Sequence, residues 1–218
     1  MKANDIREIV GEFESKSNPD DRNASFDYCY NYFRKENNLT GDIEKSCLVL
    51  GFYLASWGML RGSSFLLNRS LKYFESSIQY ISTLERSVWN IDVDSYNDEN
   101  IQQIQEIYNG LKLSLIRNEN ADLILITKIM LGVFGFVPAF DSCFCKTFRG
   151  IANGECGFNR LNVKSLGIIK RFYESNRAVI DNLAKKIFTT DFVTGQKTDI
   201  NYPKAKIIDM YGFTKGLI

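Results

Sequence analysis

The chain has 218 residues, of which 44% are hydrophobic and 24% are charged, and its mean hydropathy is −0.20. These values are typical of a folded domain rather than of a disordered chain. The chain contains no histidine, which excludes Ser-His-Asp and Cys-His catalysis, histidine-ligated metals and histidine pH switches.

The net charge of +1 is unevenly distributed along the chain. Residues 1–109 contain 11 Lys/Arg and 17 Asp/Glu, a net charge of −6, whereas residues 110–218 contain 16 and 9, a net charge of +7. A basic half is one indication of a surface that binds a polyanion. The alternative is that the acidic and basic halves pack against each other.

The five cysteines favour free thiols in a reducing cytoplasm, because their number is odd and their spacing is irregular. Cys143, Cys145 and Cys156 lack the paired C-x-x-C spacing of a zinc site, so we expect no metal. The sequence has no G-x-x-x-x-G-K-[ST] or G-x-G-x-x-G motif, and we expect no cofactor. The N-terminus has no apolar signal core, and the apolar stretches are too short or too interrupted to cross a bilayer. We therefore expect a cytoplasmic protein without a membrane partner.

Apolar residues recur at helical spacing through most of the chain. The first half predicts helices over Ile6–Phe13, over Phe26–Phe33 and from Asp42 through Leu54. A long helical pattern follows from Phe65 to about Trp89, and another spans about 98–116. A polar break at Arg117–Asn120 ends this half.

The second half begins with the nearly all-apolar stretch 121–134, which predicts a central buried helix. Helical patterns resume over 139–149 and over a last long helix of about 163–188. The tail is polar after Thr189 and apolar again from Ile207. No alternating strand pattern persists. The sequence predicts an all-α single domain of about eight helices over residues 1–218, with an acidic N-terminal half and a basic C-terminal half from about residue 110.

The segment from Tyr53 to Phe65 is the most unusual in the chain. Ser63 and Ser64 precede a predicted helix whose free amides would hold an anion, and Arg61 adds positive charge. Trp57 would line such a site. The alternative is that a serine caps the helix and Arg61 pairs with an acidic neighbour.

A second unusual segment spans 127–142. Lys128 lies in an apolar helix, where its ammonium group can reach a carboxylate or a phosphate. Asp141 precedes the next helical pattern, so its carboxylate either faces a cleft as a catalytic group or caps that helix. In the capping alternative, Lys128 is its ion-pair partner.

The third segment lies near the C-terminus. Tyr202, Asp209 and Tyr211 are candidates for lining a site. The alternative is that the apolar residues of this segment dock the tail onto the core.

These three segments together resemble a widespread family of uncharacterised bacterial proteins. The shared blocks are YLASWGM-x-RGSS, TK-x-x-x-G-x-x-G-x-VPA-F-D and YP-x-x-K-x-IDMY. This resemblance covers most of the chain in scattered blocks and implies no particular activity.

The region around Asp141 also resembles the helix-hairpin-helix DNA glycosylases. In both, a buried helix and a glycine-containing turn precede an aspartate at the start of the next helix. This resemblance implies that a base is extruded into a pocket, where the carboxylate of Asp141 supports its departure. The break at Arg117–Asn120 differs from that family because it lacks the G-x-G hairpin that holds the DNA backbone.

Three functions are compatible with these patterns. The first is a nucleic-acid-associated protein that binds DNA or RNA and is glycosylase-like, with Asp141 as the carboxylate and Arg61, Ser63, Ser64 and Lys128 as an anion site. The second is a non-enzymatic helical module that binds another protein. The third is an enzyme that binds a small phosphate compound at the start of the helix after Ser64.

Overall fold

The computed structural model describes residues 3–116 and 122–218. Within these ranges the chain forms ten α-helices and two short strands, so the predicted all-α single domain is confirmed. The break predicted at Arg117–Asn120 lies outside the described residues. The α-helices are α1 (Ala3–Glu14), α2 (Ala24–Lys35), α3 (Ile43–Ser56), α4 (Glu75–Ser82), α5 (Asp98–Leu115), α6 (Leu123–Phe134), α7 (Ser142–Ala152), α8 (Val163–Ser175), α9 (Arg177–Lys186) and α10 (Lys204–Leu217).

The prediction of one long helix from Phe65 to Trp89 is wrong. This stretch contains α4 between short 3₁₀ turns at Phe65–Asn68, Leu71–Phe74 and Arg86–Asn90. The backbone is extended at Arg69 and Ser70 and again at Glu85. Polar residues such as Asn68 and Ser70 favour turns over helix interiors, and here they outweigh the apolar periodicity.

The long helix predicted over 163–188 is also divided. Asn176 leaves helical geometry between α8 and α9, and its side-chain amide donates a hydrogen bond to the carbonyl oxygen of Phe172. Strand β1 (Phe188–Thr190) then pairs in antiparallel fashion with β2 (Lys197–Asn201). Strands of three and five residues are too short to show a sustained alternation, so the sequence did not predict this hairpin.

Two helices form the centre of the domain. α6 buries ten of its twelve residues, as the apolar run predicted, and packs against α2, α3 and α5. α10 buries ten of its fourteen residues and packs against α1, α7 and α9. The C-terminal segment is thus docked as a core helix. No helix in the described part of the chain is both long and apolar enough to cross a membrane.

Candidate functional site

A cavity of about 1040 Å³ opens where the end of α3 and the loop after it approach α6, α7 and α10. Six of the nine residues predicted for a site line this one cavity: Trp57, Arg61, Ser63, Ser64, Lys128 and Asp141. The first two segments singled out in the sequence therefore meet in space, although they are separated by more than sixty residues along the chain.

Trp57 forms part of the wall because α3 ends immediately before it. Gly58 has a φ of +76°, a left-handed conformation that glycine adopts without steric strain and that turns the chain away from the helix. The indole stacks on Phe13, with ring centroids 6.2 Å apart, and meets the edge of Phe213. These contacts fix the orientation of the ring beside the cavity.

Lys128 reaches the cavity from α6. Its Nζ donates a hydrogen bond of 2.8 Å to the carbonyl oxygen of Trp57 and lies 3.9 Å from Oδ2 of Asp141. Burial lowers the pKa of Lys128, and the negative charge of Asp141 opposes this change. The ammonium is consequently held at one point of the wall by a carbonyl and a carboxylate.

Asp141 precedes α7 and uses its two carboxylate oxygens differently. Oδ1 accepts a hydrogen bond from the amide of Phe144 and so caps α7, while Oδ2 faces Lys128. Burial raises the pKa of Asp141; the amide of Phe144 and the charge of Lys128 act against this increase. The predicted cap and ion pair are both present, and the side chain also lines the cavity.

Asp209 was a candidate for lining a site, but it does not line the cavity. Its Oδ1 accepts a hydrogen bond from the amide of Ala139, and its Oδ2 lies 3.0 Å from Nζ of Lys206. Both charged side chains are buried behind the cavity wall, with 8% and 2% of their surfaces exposed. The ion pair lies within α10, and the hydrogen bond from Ala139 joins this helix to the loop that precedes Asp141.

Tyr202 and Tyr211 also lie outside the cavity. The hydroxyl of Tyr202 donates a hydrogen bond to the buried carboxylate of Asp27. The hydroxyl of Tyr211 contacts Asp5, and its ring stacks on Phe172. Both tyrosines therefore pack within the core, Tyr202 immediately before α10 and Tyr211 within it.

The predicted anion site at a helix start needs a correction. Only a four-residue 3₁₀ turn follows Ser64, so no helix of useful length directs its amides toward Ser63. The hydroxyl of Ser64 donates to the carbonyl oxygen of Met59 and accepts from the amide of Leu66. Ser64 is thus a capping residue, and the positive charge of the cavity comes from side chains.

Arg22, Arg61 and Arg149 bring positive charge to the cavity, and all three are exposed. None of them forms an ion pair with a carboxylate in the described part of the chain. Among the described residues, the cavity is lined by four cationic side chains, these three and Lys128, and by one carboxylate, that of Asp141. Arg22 and Arg61 come from the acidic half of the chain, so the charge of a half does not indicate where the cations gather.

The sequence did not single out Arg22 or Arg149. Arg22 lies in the connection between α1 and α2, and no motif marks it. Arg149 could have been found from the sequence, because Asp141, Cys145 and Arg149 follow one another at intervals of four residues. All three line the cavity. Residues at this spacing share one side of a helix.

Comparisons of the chain with protein-family models, with curated proteins and with solved structures gave no match. Among the described residues, no group of three His, Cys, Asp or Glu side chains is placed to hold a metal ion.

Proposed function

We propose that this protein binds nucleic acid and receives one unstacked nucleotide in the cavity, where Asp141 assists departure of the base. The observation that carries the proposal is the Lys128–Asp141 pair in the wall of a large cavity that also has three arginines without a carboxylate partner among the described residues. Base-modifying enzymes need such a cavity because the target atoms are inaccessible inside a duplex.

The arginines suit the phosphates that flank an extruded nucleotide. Lys and Arg contacts to phosphate supply most of the sequence-independent affinity for nucleic acid. Arg22, Arg61 and Arg149 are exposed and have no carboxylate partner among the described residues, so their charge is not neutralised by an ion pair. Arg149 also donates hydrogen bonds to the carbonyl oxygen of Gly157 and to Oδ1 of Asn159, which hold its guanidinium group in place at the cavity.

The cavity wall suits the base and the sugar. The rings of Trp57, Phe65 and Phe213 line it, are partly exposed and offer apolar surface to a base. As the bond between base and sugar lengthens, positive charge develops on the sugar, and the ionised carboxylate of Asp141 stabilises it. The base leaves with the bonding electron pair, and water then adds to the sugar carbon and releases a proton to solvent.

The first test is binding of fluorescent single-stranded DNA, duplex DNA and RNA at several salt concentrations. We expect affinity to fall steeply with salt, and Arg61→Ala to reduce the slope of log affinity against log salt by about 1. Arg171→Ala is the matched control, because Arg171 is an exposed arginine on α8 that pairs with Glu155 and does not line the cavity. Equal losses in both variants would contradict a specific role for the cavity.

The second test is base release from oligonucleotides that carry single modified nucleotides. Asp141→Asn keeps an oxygen that can cap α7 and removes the negative charge, so we expect release to fall about 10²-fold or more while binding persists. Because the pKa of Asp141 is raised, release by the unmodified protein should also decline as the solution is acidified toward that pKa.

Absence of binding at low salt would reject this proposal and favour the helical protein-interaction module. In that case Asp141 and Lys128 serve as helix cap and ion pair, roles that their contacts already satisfy. Binding of free nucleotides or inorganic phosphate without binding of oligonucleotides would instead favour an enzyme that acts on a small phosphate compound.

A further inference from the structure

We propose that the base leaves this cavity as an anion stabilised by the ammonium group of Lys128. The substrates are then neutral bases with an acidic ring N–H, such as uracil, hypoxanthine or an oxidised purine, and not cationic alkylated bases. This inference rests on the proposed function and specifies its substrate class.

The charges around Trp57 are the first observation. The guanidinium carbon of Arg22 and the Nζ atoms of Lys128 and Lys206 lie 5.4, 5.7 and 5.1 Å from the centre of its ring system. Aromatic faces attract cations, and protein cations already surround this indole. An alkylated base carrying a positive charge would meet like charges there, whereas a base that gains negative charge would be attracted.

The acidic groups give a cationic base little compensation. Asp141 is the only carboxylate among the described residues that line the cavity. Asp209 lies behind the wall and is already engaged by Lys206 and by the amide of Ala139. Asp141 itself is needed opposite the sugar, so no second carboxylate remains for the base.

The Lys128–Asp141 pair matches the charges that develop during the reaction. The bond between C1′ and the base nitrogen breaks so that both electrons stay on the nitrogen. The sugar becomes positive and the base becomes negative. Nζ of Lys128 and Oδ2 of Asp141 lie 3.9 Å apart, so each developing charge meets a fixed charge of opposite sign.

The remaining steps keep atoms and charge balanced. The oxygen of a water molecule bonds to C1′, one of its protons passes to solvent, and the released base anion takes up a proton from solvent. The chain has no histidine that would donate a proton to the departing base. Stabilisation by a fixed cation is the assistance that the cavity offers instead.

The test uses single-turnover release from oligonucleotides that contain thymine, uracil, 5-fluorouracil or 7-methylguanine at one position. Within the pyrimidines, we expect release to become faster as the ring N–H becomes more acidic. Lys128→Met should slow release of the least acidic bases most, by about 10²-fold or more. The release rate should then depend more steeply on the acidity of the base. Lys128→Arg keeps the positive charge and should restore part of the rate.

Two controls separate this role from general effects. Circular dichroism and thermal unfolding establish that each Lys128 variant is folded, because this side chain also donates to Trp57. Arg149→Gln removes a cation from the same cavity and should weaken binding of all the oligonucleotides alike without changing the dependence on base acidity.

Preferential release of 7-methylguanine that does not respond to Lys128→Met would overturn the inference and leave the proposed function standing. Salt-dependent binding without release from any oligonucleotide would contradict the proposed reaction and this inference together.

Discussion

The two tryptophans show how differently one residue type is used in this chain. Nε1 of Trp89 donates a hydrogen bond of 3.0 Å to the carbonyl oxygen of Val133, which lies in the last turn of α6. Such carbonyls lack a partner within the helix, so the indole satisfies one of them. Nε1 of Trp57 is buried and has no hydrogen-bond partner among the described residues.

Replacing each tryptophan by phenylalanine should therefore have unequal effects. Trp89→Phe removes a buried hydrogen bond and leaves a void in the core, and we expect a loss of about 2–4 kcal/mol in the free energy of unfolding. Trp57→Phe removes no hydrogen bond from a half-buried ring, and we expect a loss of about 1 kcal/mol or less in the free energy of unfolding. Urea unfolding of both variants measures the difference, and equal losses would contradict this account.

At the scale of elements, close contact between α3 and α6 positions the cavity lysine. The hydroxyl of Tyr53 on α3 donates to the carbonyl oxygen of Lys128 on α6. The ring of Tyr53 fits against α6 because Gly132 has no side chain there, and a methyl group on Gly132 would lie 2.3 Å from Cε1 of Tyr53.

Gly132→Ala should consequently force the two helices apart. Overpacking of this kind lowers stability by about 1–3 kcal/mol, and the movement should also weaken oligonucleotide binding at the cavity. Gly167→Ala is the control, because a methyl group on this α8 residue meets no atom within 4 Å. Removal of a helical glycine there should raise stability by about 0.4–1 kcal/mol. Thermal unfolding compares the two variants, and a stable Gly132→Ala protein would show that Tyr53 can move aside.

The elements that sequence patterns predicted are those whose burial is determined locally. The apolar run before Phe134 has one consistent outcome, a buried helix, and α6 is that helix. The breaks at Arg69 and Asn176 depend on single polar residues that compete with apolar periodicity on both sides. The β1–β2 hairpin depends on distant partners, since the amide of Thr190 donates to the carboxylate of Asp27.

The candidate site was predictable to a similar extent. Lys128 was recognisable because a lysine is unusual in an apolar helix. Asp141 was recognisable because it directly precedes a helix, where its carboxylate can cap the helix or face a cleft. The position of Asp209 outside the cavity was not predictable, because it depends on a contact with Ala139, seventy residues earlier in the chain. Arg22 required the tertiary fold, because its connection carries no local pattern.

At the scale of the whole molecule, α10 joins the acidic and basic halves. Nζ of Lys204 lies 2.9 Å from a carboxylate oxygen of Asp94, and Nζ of Lys215 lies 3.5 Å from one of Asp5. These pairs support the alternative in which the halves attract each other. The cavity draws its cations from both halves, so attraction between the halves and a basic cavity coexist.

The N-terminus of α10 depends on one largely buried carboxylate, that of Asp92, whose side chain is 17% exposed. The amides of Lys204 and Ala205 donate to the two oxygens of Asp92 at 2.7 and 3.0 Å. Burial raises the pKa of Asp92 to about 6 in the folded protein, although these hydrogen bonds and the charge of Lys204 act against the increase. In the unfolded chain the side chain titrates near the ordinary aspartate value of about 3.9.

This difference predicts how stability changes with pH. The folded protein holds the Asp92 proton more tightly than the unfolded chain, so the contribution of Asp92 is fully present below about pH 4 and declines as the pH rises through about 6. Asp92→Asn cannot ionise and keeps one oxygen for an amide of α10. We expect its stability relative to the unmodified protein to rise by about 1–3 kcal/mol between pH 4 and pH 7.

Asp94→Asn removes the more exposed carboxylate that Lys204 contacts and should keep the original pH dependence of stability. Chemical unfolding across this range measures both variants, and a constant difference between Asp92→Asn and the unmodified protein would show that Asp92 ionises alike in the folded and unfolded states.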